Sequence, residues 1–135
     1  MIETAKNSFG KQGFMKTLGA KIISIKKGAV KIECKLQEGL TQQHGFFHAG
    51  VLTSIVDVAC GYAALSVMPD NSDVLTVEFK TNFLKAANTK RIVATGKVIK
   101  SGKTLTFCEG KVTDTNEEIV YTTMQATMIC LKQQY

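Results

Sequence analysis

The sequence contains a single proline, Pro69, and it has no Ser- or Gly-rich stretch and no run of like charges that could serve as a linker. It also lacks internal repeats and low-complexity tracts. The length of 135 residues is too short for two domains of usual size, and 44% of the residues are hydrophobic. These features predict one globular domain, spanning residues 1–135, with a substantial core.

Closely spaced cysteines are also missing. No two of the four cysteines lie within three residues of each other, which excludes metal knuckles and vicinal redox pairs. The two histidines have no Asp or Glu close by, so no metal site and no bound cofactor is expected. Each cysteine lies in an apolar or strand-like run, which favours buried, reduced thiols in a cytoplasmic protein. The cysteines are Cys34, Cys60, Cys108 and Cys130.

Targeting and membrane-spanning signals are not evident. The stretch MIETAKNSFGKQGFMKTLG has no apolar region of the kind found in signal peptides. Residues 51–68 form the most hydrophobic segment and approach the roughly 20 residues of a membrane span. They contain polar residues such as Ser54 and Asp57 and lack flanking cationic anchors. We therefore expect a buried helix and no membrane span.

The chain has a net charge of +6, from 17 Lys and Arg residues against 11 Asp and Glu residues. The lysines mostly alternate with apolar residues, as on the solvent-exposed face of strands. No basic stripe with interleaved aromatic residues is present, so no nucleic-acid partner is expected. Two interpretations stay open, a solvated basic surface and the attraction of a phosphate-bearing ligand.

Alternating apolar and polar residues predict strands on both sides of the buried helix. Residues 29–37 alternate cleanly, and a Lys-Lys-Gly turn joins them to an earlier strand. The predicted strands after the helix are residues 74–84, 90–100, 103–113 and 118–131. Because strands follow strands, we predict an α+β fold in which an antiparallel sheet of five to six strands wraps around one long central helix. An uncovered sheet face or edge strand would favour oligomerisation.

Asp57 is the only charged residue between positions 51 and 68. Burial of an unpaired carboxylate costs several kcal/mol. No lysine or arginine is three or four residues away, so pairing within the helix is excluded. The residues at those positions are Thr53, Ser54, Cys60 and Gly61. An ion pair with a distant residue stays open, but we favour a functional carboxylate in a cleft, acting as a base or a nucleophile.

His48, Ala49 and Gly50 precede this helix. If the helix begins there, the backbone N–H groups of Ala49 and Gly50 can bind an anion or polarise a carbonyl. Ala49 and Asp57 are separated by roughly 12 Å along a helix axis, since each residue rises about 1.5 Å. One carbonyl cannot contact both groups of one chain. If the two cooperate, they come from two chains whose helices pack antiparallel about a two-fold axis.

The stretch HAGVLTSIVD resembles the HGG…D signature of the hotdog-fold acyl-CoA thioesterases, in the phenylacetyl-CoA thioesterase-like (PaaI-like) branch. The resemblance extends over nearly the whole chain, since QQHGFFHAG, the helix, VEFKTNFLKAA and KSGKTLTF occur in the expected order. It implies a hotdog fold and hydrolysis of an acyl-CoA thioester, with CoA as part of the substrate. It also implies a homodimer or homotetramer with active sites between subunits.

The resemblance further implies roles for individual residues. Asp57 matches the catalytic carboxylate, which acts on the thioester carbonyl directly or through water, and Thr76 falls where some members orient that water. The Ala49 N–H, next to Gly50, matches the oxyanion donor. Two loop residues complete the set. Gln42 matches a residue that positions the thioester or the water, and His48 matches a histidine that supports the loop.

Two departures from the family pattern affect these roles. The usual second glycine of HGG is Ala49, which keeps the donor role only if its φ is negative. Some members have a threonine one turn after the carboxylate, where this chain has Gly61. A supporting hydroxyl is therefore missing, or the acyl group uses the space.

A hairpin signal, Ser101-Gly102, is expected to form a two-residue turn. The hairpin resembles the turn that approaches CoA in related proteins, and its lysines, hydroxyls and backbone N–H groups can hold phosphates. A plain basic hairpin is the alternative. The predicted CoA-binding residues are Lys100, Ser101, Gly102, Lys103 and Thr104, together with Asn82.

Hydrolysis of an acyl-CoA thioester is the leading hypothesis. A hotdog dehydratase or hydratase would need a catalytic histidine with a nearby acid, in motifs that are not seen. A non-catalytic acyl-CoA sensor is usually fused to a DNA-binding domain, for which this chain has no spare length. The acyl group stays unspecified, because the aromatic residues fit a pocket and a core equally well. These residues are Phe46, Phe47, Tyr62, Phe79 and Phe83.

Overall fold

Six antiparallel strands form one sheet in the structure, a computed structural model that describes residues 2–132. Their order across the sheet is β1-β2-β4-β5-β6-β3. The strands are β1 (Lys21–Lys26), β2 (Ala29–Lys35), β3 (Ser72–Phe83), β4 (Arg91–Ser101), β5 (Leu105–Thr113) and β6 (Val120–Lys132). The structure contains the two predicted strands before the helix and the four predicted strands after it. The α+β prediction of a sheet around one long helix is confirmed.

The long helix is α3 (Ala49–Leu65), which packs on one face of the sheet. Two glycines paired across β4 and β5, Gly96 and Gly110, allow this close approach. A Cβ atom on Gly96 would overlap the backbone of Ala59, and one on Gly110 would lie 2.6 Å from a methyl group of Val56. The helix can therefore pack closely on the two central strands because these two positions have no side chain.

Two short helices at the N-terminus were not predicted from the sequence. They are α1 (Ile2–Gly10) and α2 (Gly13–Leu18). Few residues anchor them, since only Ala5, Met15 and Leu18 of these two helices are buried. The second helix ends at Gly19, whose φ of 71° is left-handed, and the next N–H donates to the Met15 carbonyl over 2.9 Å.

The β4–β5 hairpin differs from the expected two-residue turn at Ser101-Gly102. Ser101 is the last residue of β4 and pairs with Thr106, and the tip is formed by Lys103 and Thr104. A hydrogen bond from the Gly102 N–H to the Leu105 carbonyl, 2.8 Å long, closes the tip. The predicted turn was wrong by two residues, since the pairing of β4 with β5 continues through Ser101 and places the tip at Lys103 and Thr104.

Strand β3 lies at an edge of the sheet and pairs only with β6. It is 12 residues long, and its edge exposes large apolar side chains. Within residues 2–132, no helix is both long enough and apolar enough to cross a bilayer.

Candidate active site

One side of α3 is not covered by the sheet and carries the polar residues of the helix. Thr53, Asp57 and Gly61 follow one another at four-residue spacing and are half-buried, as is Ser54. The opposite side, which includes Ile55 and other residues with no exposed surface, packs into the core. The helix therefore presents its lone carboxylate on its only accessible stripe.

The Asp57 carboxylate is held by a hydroxyl on the edge strand. The Thr76 Oγ1 donates to Asp57 Oδ1 over 2.8 Å. Burial raises the pKa of Asp57 above its ordinary value, and the hydrogen bond from Thr76 offsets part of this rise. The ion pairs among residues 2–132 are Lys31–Glu117 and Arg91–Glu33. A tertiary ion pair to Asp57, the alternative left open above, is not present in this part of the chain.

Asp57 and Thr76 face a cleft of about 180 Å³ between α3, β3 and the N-terminal helices. Gly61 and Tyr62 continue the wall along α3, and Ser8 of α1 and Gln12, which lies just before α2, close one end. Because the carboxylate borders open space and is half-buried without a cation, it can accept a proton from water or attack a bound carbonyl.

The other half of the candidate site lies at the start of α3. His48 is the N-cap, and its Nδ1 accepts a hydrogen bond from the Gly50 N–H over 2.8 Å. This bond supports the loop role expected for His48 and engages the Gly50 N–H. The Ala49 N–H has no hydrogen bond among the described residues, and Ala49 has no positive φ. The condition for Ala49 to act as a donor is therefore met.

Gln42 shapes the loop that leads to this helix. Its Oε1 accepts hydrogen bonds from the backbone N–H groups of His44 and Phe46, at 2.6 and 3.1 Å. Its amide NH2 has no partner within residues 2–132. Gln42 and Ala49 line one cleft of about 360 Å³, together with Phe83 at the end of β3 and residues 84–87 that follow it. The structure thus brings Gln42 and Ala49 together, and places Asp57 with Thr76 in a different cleft.

The predicted CoA-binding residues do not form one group. Residues 100–104 are exposed at the β4–β5 hairpin. Asn82 lies on β3, lines a cleft of about 450 Å³ on the outer sheet face, and accepts a hydrogen bond from Lys80 Nζ over 3.1 Å. Asn82 on β3 and Lys111 on β5 both pair with Thr123 of the intervening strand β6, so they lie at the same height in the sheet. Lys111 is six residues along β5 from Leu105, where the hairpin begins. This is about 20 Å of strand, so the two parts cannot hold the same phosphate of one chain.

Four polar residues of the Asp57 cleft were missed by the sequence analysis. They are Ser8 and Gln12 from the N-terminal segment, Asp73 on β3, and Tyr62, which was considered only as an aromatic residue. No local sequence signal identifies them, because the contacts depend on how α1, α2 and β3 lie against α3.

Comparisons with known proteins agree with this architecture. A sequence profile described as Thioesterase superfamily matches residues 44–121, from the loop before α3 into β6. The 1,4-dihydroxy-2-naphthoyl-CoA hydrolase of Listeria monocytogenes serotype 1/2a is 30% identical over 109 residues, which are 80% of this chain and 88% of that protein.

Solved structures show the same fold. A thioesterase family protein from Silicibacter pomeroyi is 42% identical and has a TM-score of 0.91, with 95% of this chain and 96% of that chain covered. The E. coli PaaI protein from the phenylacetic acid degradation operon is 19% identical, with a TM-score of 0.86 and coverage of 96% and 91%, and supports the fold alone. The chain therefore belongs to the thioesterase superfamily, as a thioester hydrolase with the hotdog fold.

Proposed function

We propose that this protein hydrolyses an acyl-CoA thioester to the free acid and CoA, with Asp57 as the catalytic carboxylate. The observation that carries the proposal is the state of Asp57: half-buried, facing a cleft, unpaired with any cation among residues 2–132, and held by Thr76 at 2.8 Å. The raised pKa makes it a stronger base than an exposed aspartate. It either attacks the thioester carbonyl, forming a mixed anhydride as the C–S bond breaks and the CoA thiolate leaves, after which water hydrolyses the anhydride, or it removes a proton from the water that attacks the carbonyl.

The oxyanion that forms on the thioester carbonyl needs a donor, and the Ala49 N–H at the start of α3 suits this role. Within one chain this donor and Asp57 lie in separate clefts, and eight residues of helix separate them. We infer that a complete site combines the Ala49 half of one chain with the Asp57 half of a second copy. The active unit would then be a homodimer or a dimer of dimers.

The edge strand supports this pairing. Leu75, Val77, Phe79 and Phe83 on β3 have between 42% and 53% of their surface exposed. A long apolar edge with unpaired backbone groups is normally covered in the native state. A second copy that added its own β3 to this edge would extend the sheet and bring the two α3 helices side by side.

CoA binding is assigned to the β4–β5 hairpin as part of the same proposal. Lys100 and Lys103 are exposed there beside the hydroxyls of Ser101 and Thr104, whereas the Gly102 N–H is already bonded to the Leu105 carbonyl. The net charge of +6 attracts the phosphates of CoA. No cofactor other than the CoA of the substrate enters the proposed reaction.

The test is release of CoA from a panel of acyl-CoA thioesters by the intact chain and by Asp57→Asn. Removal of the carboxylate should lower kcat by about 10²- to 10⁴-fold, the usual contribution of a general acid or base. Ser54→Ala is the matched control, since Ser54 lies one turn earlier and its hydroxyl only bonds back to the Gly50 carbonyl. Equal rates for Asp57→Asn and Ser54→Ala would overturn the assignment of Asp57.

Isotope labelling of the intact protein bears on which of the two chemical routes Asp57 follows. After a single turnover in water labelled with oxygen-18, label in the Asp57 carboxylate would show attack by the carboxylate itself, because water then opens the anhydride. Label in the released acid alone is expected when Asp57 activates water and also when water opens the anhydride at the acyl carbonyl, and trapping of an acyl-enzyme with hydroxylamine separates these two cases.

A further inference from the structure

The sheet face that does not contact α3 carries a groove of about 450 Å³, which crosses β3, β6, β5 and β4. A Cβ atom on Gly96 or Gly110 would point at α3, so the side chains next to them along β4 and β5 point to the opposite face. The groove therefore lies on the far side of the sheet from Asp57, and the proposed reaction does not use it. Its volume is in the range that small-molecule ligands occupy.

Three lysines border the groove at positions that the strand pairing fixes. Lys80 on β3 and Lys97 on β4 end one row of side chains across the sheet, with Gln125 and Glu109 between them. Lys111 on β5 lies in the adjacent row. Because Glu109 is the only carboxylate among the lining residues, the groove has a net charge of +2.

These three ammonium groups are not neutralised within the described part of the chain. Neither of the two ion pairs of residues 2–132 involves them. Lys80 donates one hydrogen bond to Asn82 Oδ1 over 3.1 Å and keeps two donors, and the ammonium groups of Lys97 and Lys111 donate none to these residues. Three like charges around one open space repel each other and attract an anion.

A buried hydroxyl in the floor of the groove also lacks a partner. Thr95 is 3% exposed, and its Oγ1 makes no hydrogen bond with residues 2–132. A buried hydroxyl without a partner is unfavourable, and folded proteins keep few of them. Thr95 pairs with Lys111 on the neighbouring strand, so an oxygen atom bound by Lys111 is in a position to accept from the Thr95 hydroxyl.

The remaining groups of the wall define the ligand. A phosphate monoester carries close to two negative charges at pH 7, which matches the net charge of the groove. The amides of Asn82 and Gln125 and the hydroxyl of Thr123 provide neutral donors and acceptors for the body of the ligand. None of the residues that line the groove is aromatic, so the wall has no stacking surface for a nucleotide base. A hydroxylated body fits better than a base.

We propose that this groove is a second ligand site, which binds a compact phosphate monoester of the sugar-phosphate class through Lys80, Lys97, Lys111 and Thr95. It is separate from the hairpin proposed to hold CoA, because about 20 Å of strand lies between them. The bound ligand joins β3 to β4 and so stabilises the folded sheet. The inference does not depend on thioester hydrolysis, since the groove is on the opposite face of the sheet from Asp57.

The site is tested by calorimetric titration of the intact chain with ribose 5-phosphate at fixed ionic strength. We expect ribose 5-phosphate to bind at least about fivefold more tightly than inorganic phosphate, the effect of one further hydrogen bond, and ribose not to bind. Lys111→Gln should raise Kd about tenfold, through loss of one charge-assisted hydrogen bond. Glu109→Gln should lower Kd several-fold, because it removes the opposing charge. Lys26→Gln, exposed at the end of β1, is the charge-matched control and should leave Kd unchanged.

Thr95→Val separates binding of a ligand from a role in folding. The change keeps the shape of the side chain and removes a hydroxyl that has no partner among the described residues, so the thermal midpoint without ligand should not fall. The rise in thermal midpoint caused by ribose 5-phosphate should be smaller than in the original chain. A lower midpoint without ligand, together with an unchanged rise, would show that the hydroxyl serves the fold and not a ligand.

Two further results would overturn the proposal. One is the absence of binding by both ribose 5-phosphate and inorganic phosphate, or a Kd that Lys111→Gln does not change. The other is loss of binding when Lys100 and Lys103 are replaced by alanine, with no effect of Lys111→Gln, which would place the phosphate at the hairpin. Neither result bears on Asp57, because release of CoA is measured separately.

Discussion

At the scale of single residues, Thr76 is placed to control the protonation of Asp57. Its hydroxyl donates to Oδ1 at 2.8 Å and lowers a pKa that burial raises. The Thr76→Val variant removes this donor at nearly constant volume, so the pKa of Asp57 should rise further. Since the proposed base works only when deprotonated, the acid limb of the kcat–pH profile should move to higher pH. A lower kcat with an unmoved acid limb would show that Thr76 acts only on the water.

At the scale of secondary-structure elements, the contact between α3 and the sheet depends on Gly96 and Gly110. We expect Gly96→Ala to lower the free energy of unfolding by about 3 kcal/mol or more, because the new methyl group would overlap helix backbone, which cannot rotate away. Gly110→Ala should cost about 1–3 kcal/mol, since it meets side chains that can adjust.

Gly39→Ala is the control for this pair, because a Cβ atom there meets nothing within 4 Å. It should change stability by less than about 0.5 kcal/mol. Denaturant unfolding of the three variants measures their free energies of unfolding and so tests the predicted ranking. If the Gly96→Ala protein were as stable as Gly39→Ala, the tight helix–sheet contact would be contradicted.

The β4–β5 hairpin is the second element with a testable role. Replacement of Lys100 and Lys103 by alanine should raise KM for acyl-CoA several-fold with little change in kcat, and the effect should shrink as salt is added. Replacement of Lys21 and Lys35 by alanine, at the other end of β1 and β2, is the charge-matched control. For an acyl-pantetheine substrate, which lacks these phosphates, KM should be the same with the hairpin variant and with the control variant. An equal loss with acyl-pantetheine and acyl-CoA would show that the hairpin does not bind phosphate.

At the scale of the whole molecule, the two-chain site is tested by mixing inactive chains. Ala49→Pro removes the N–H donor, and proline is tolerated at the first helical position, with His48 already extended at ψ 139°. This variant and Asp57→Asn should each be inactive alone. Unfolded and refolded together in equal amounts, they should recover about a quarter of the original activity per site, because half of random dimers are mixed and each has one intact site. No recovery would place both groups in one chain.

The fold was largely predictable from the sequence, because alternation along residues 29–37 and the four later strands reports directly which face is buried. The N-terminal helices were not, since only three buried residues mark them. The carboxylate on its helix was recognised as the lone charge in an apolar segment, the donor at the helix start came from the helix boundary and the family resemblance, and spacing gave the separation of the two. The hydrogen-bond partners of these groups could not be predicted from the sequence, because they arise from long-range contacts. A bulge in β3 near Val77 lies next to Thr76, which bonds to Asp57 on α3. The N-terminal segment folds back so that Gln12 reaches Tyr62.

The separation of Ala49 and Asp57 along one helix has a genetic consequence if the site is shared as proposed. A chain that lacked only one of the two groups would still contribute a working half to one site of every mixed dimer. A chain that lacked both would inactivate every site it touched in a mixed dimer. The double variant should therefore behave as a dominant inhibitor when it is expressed with the original protein, whereas each single variant should be milder.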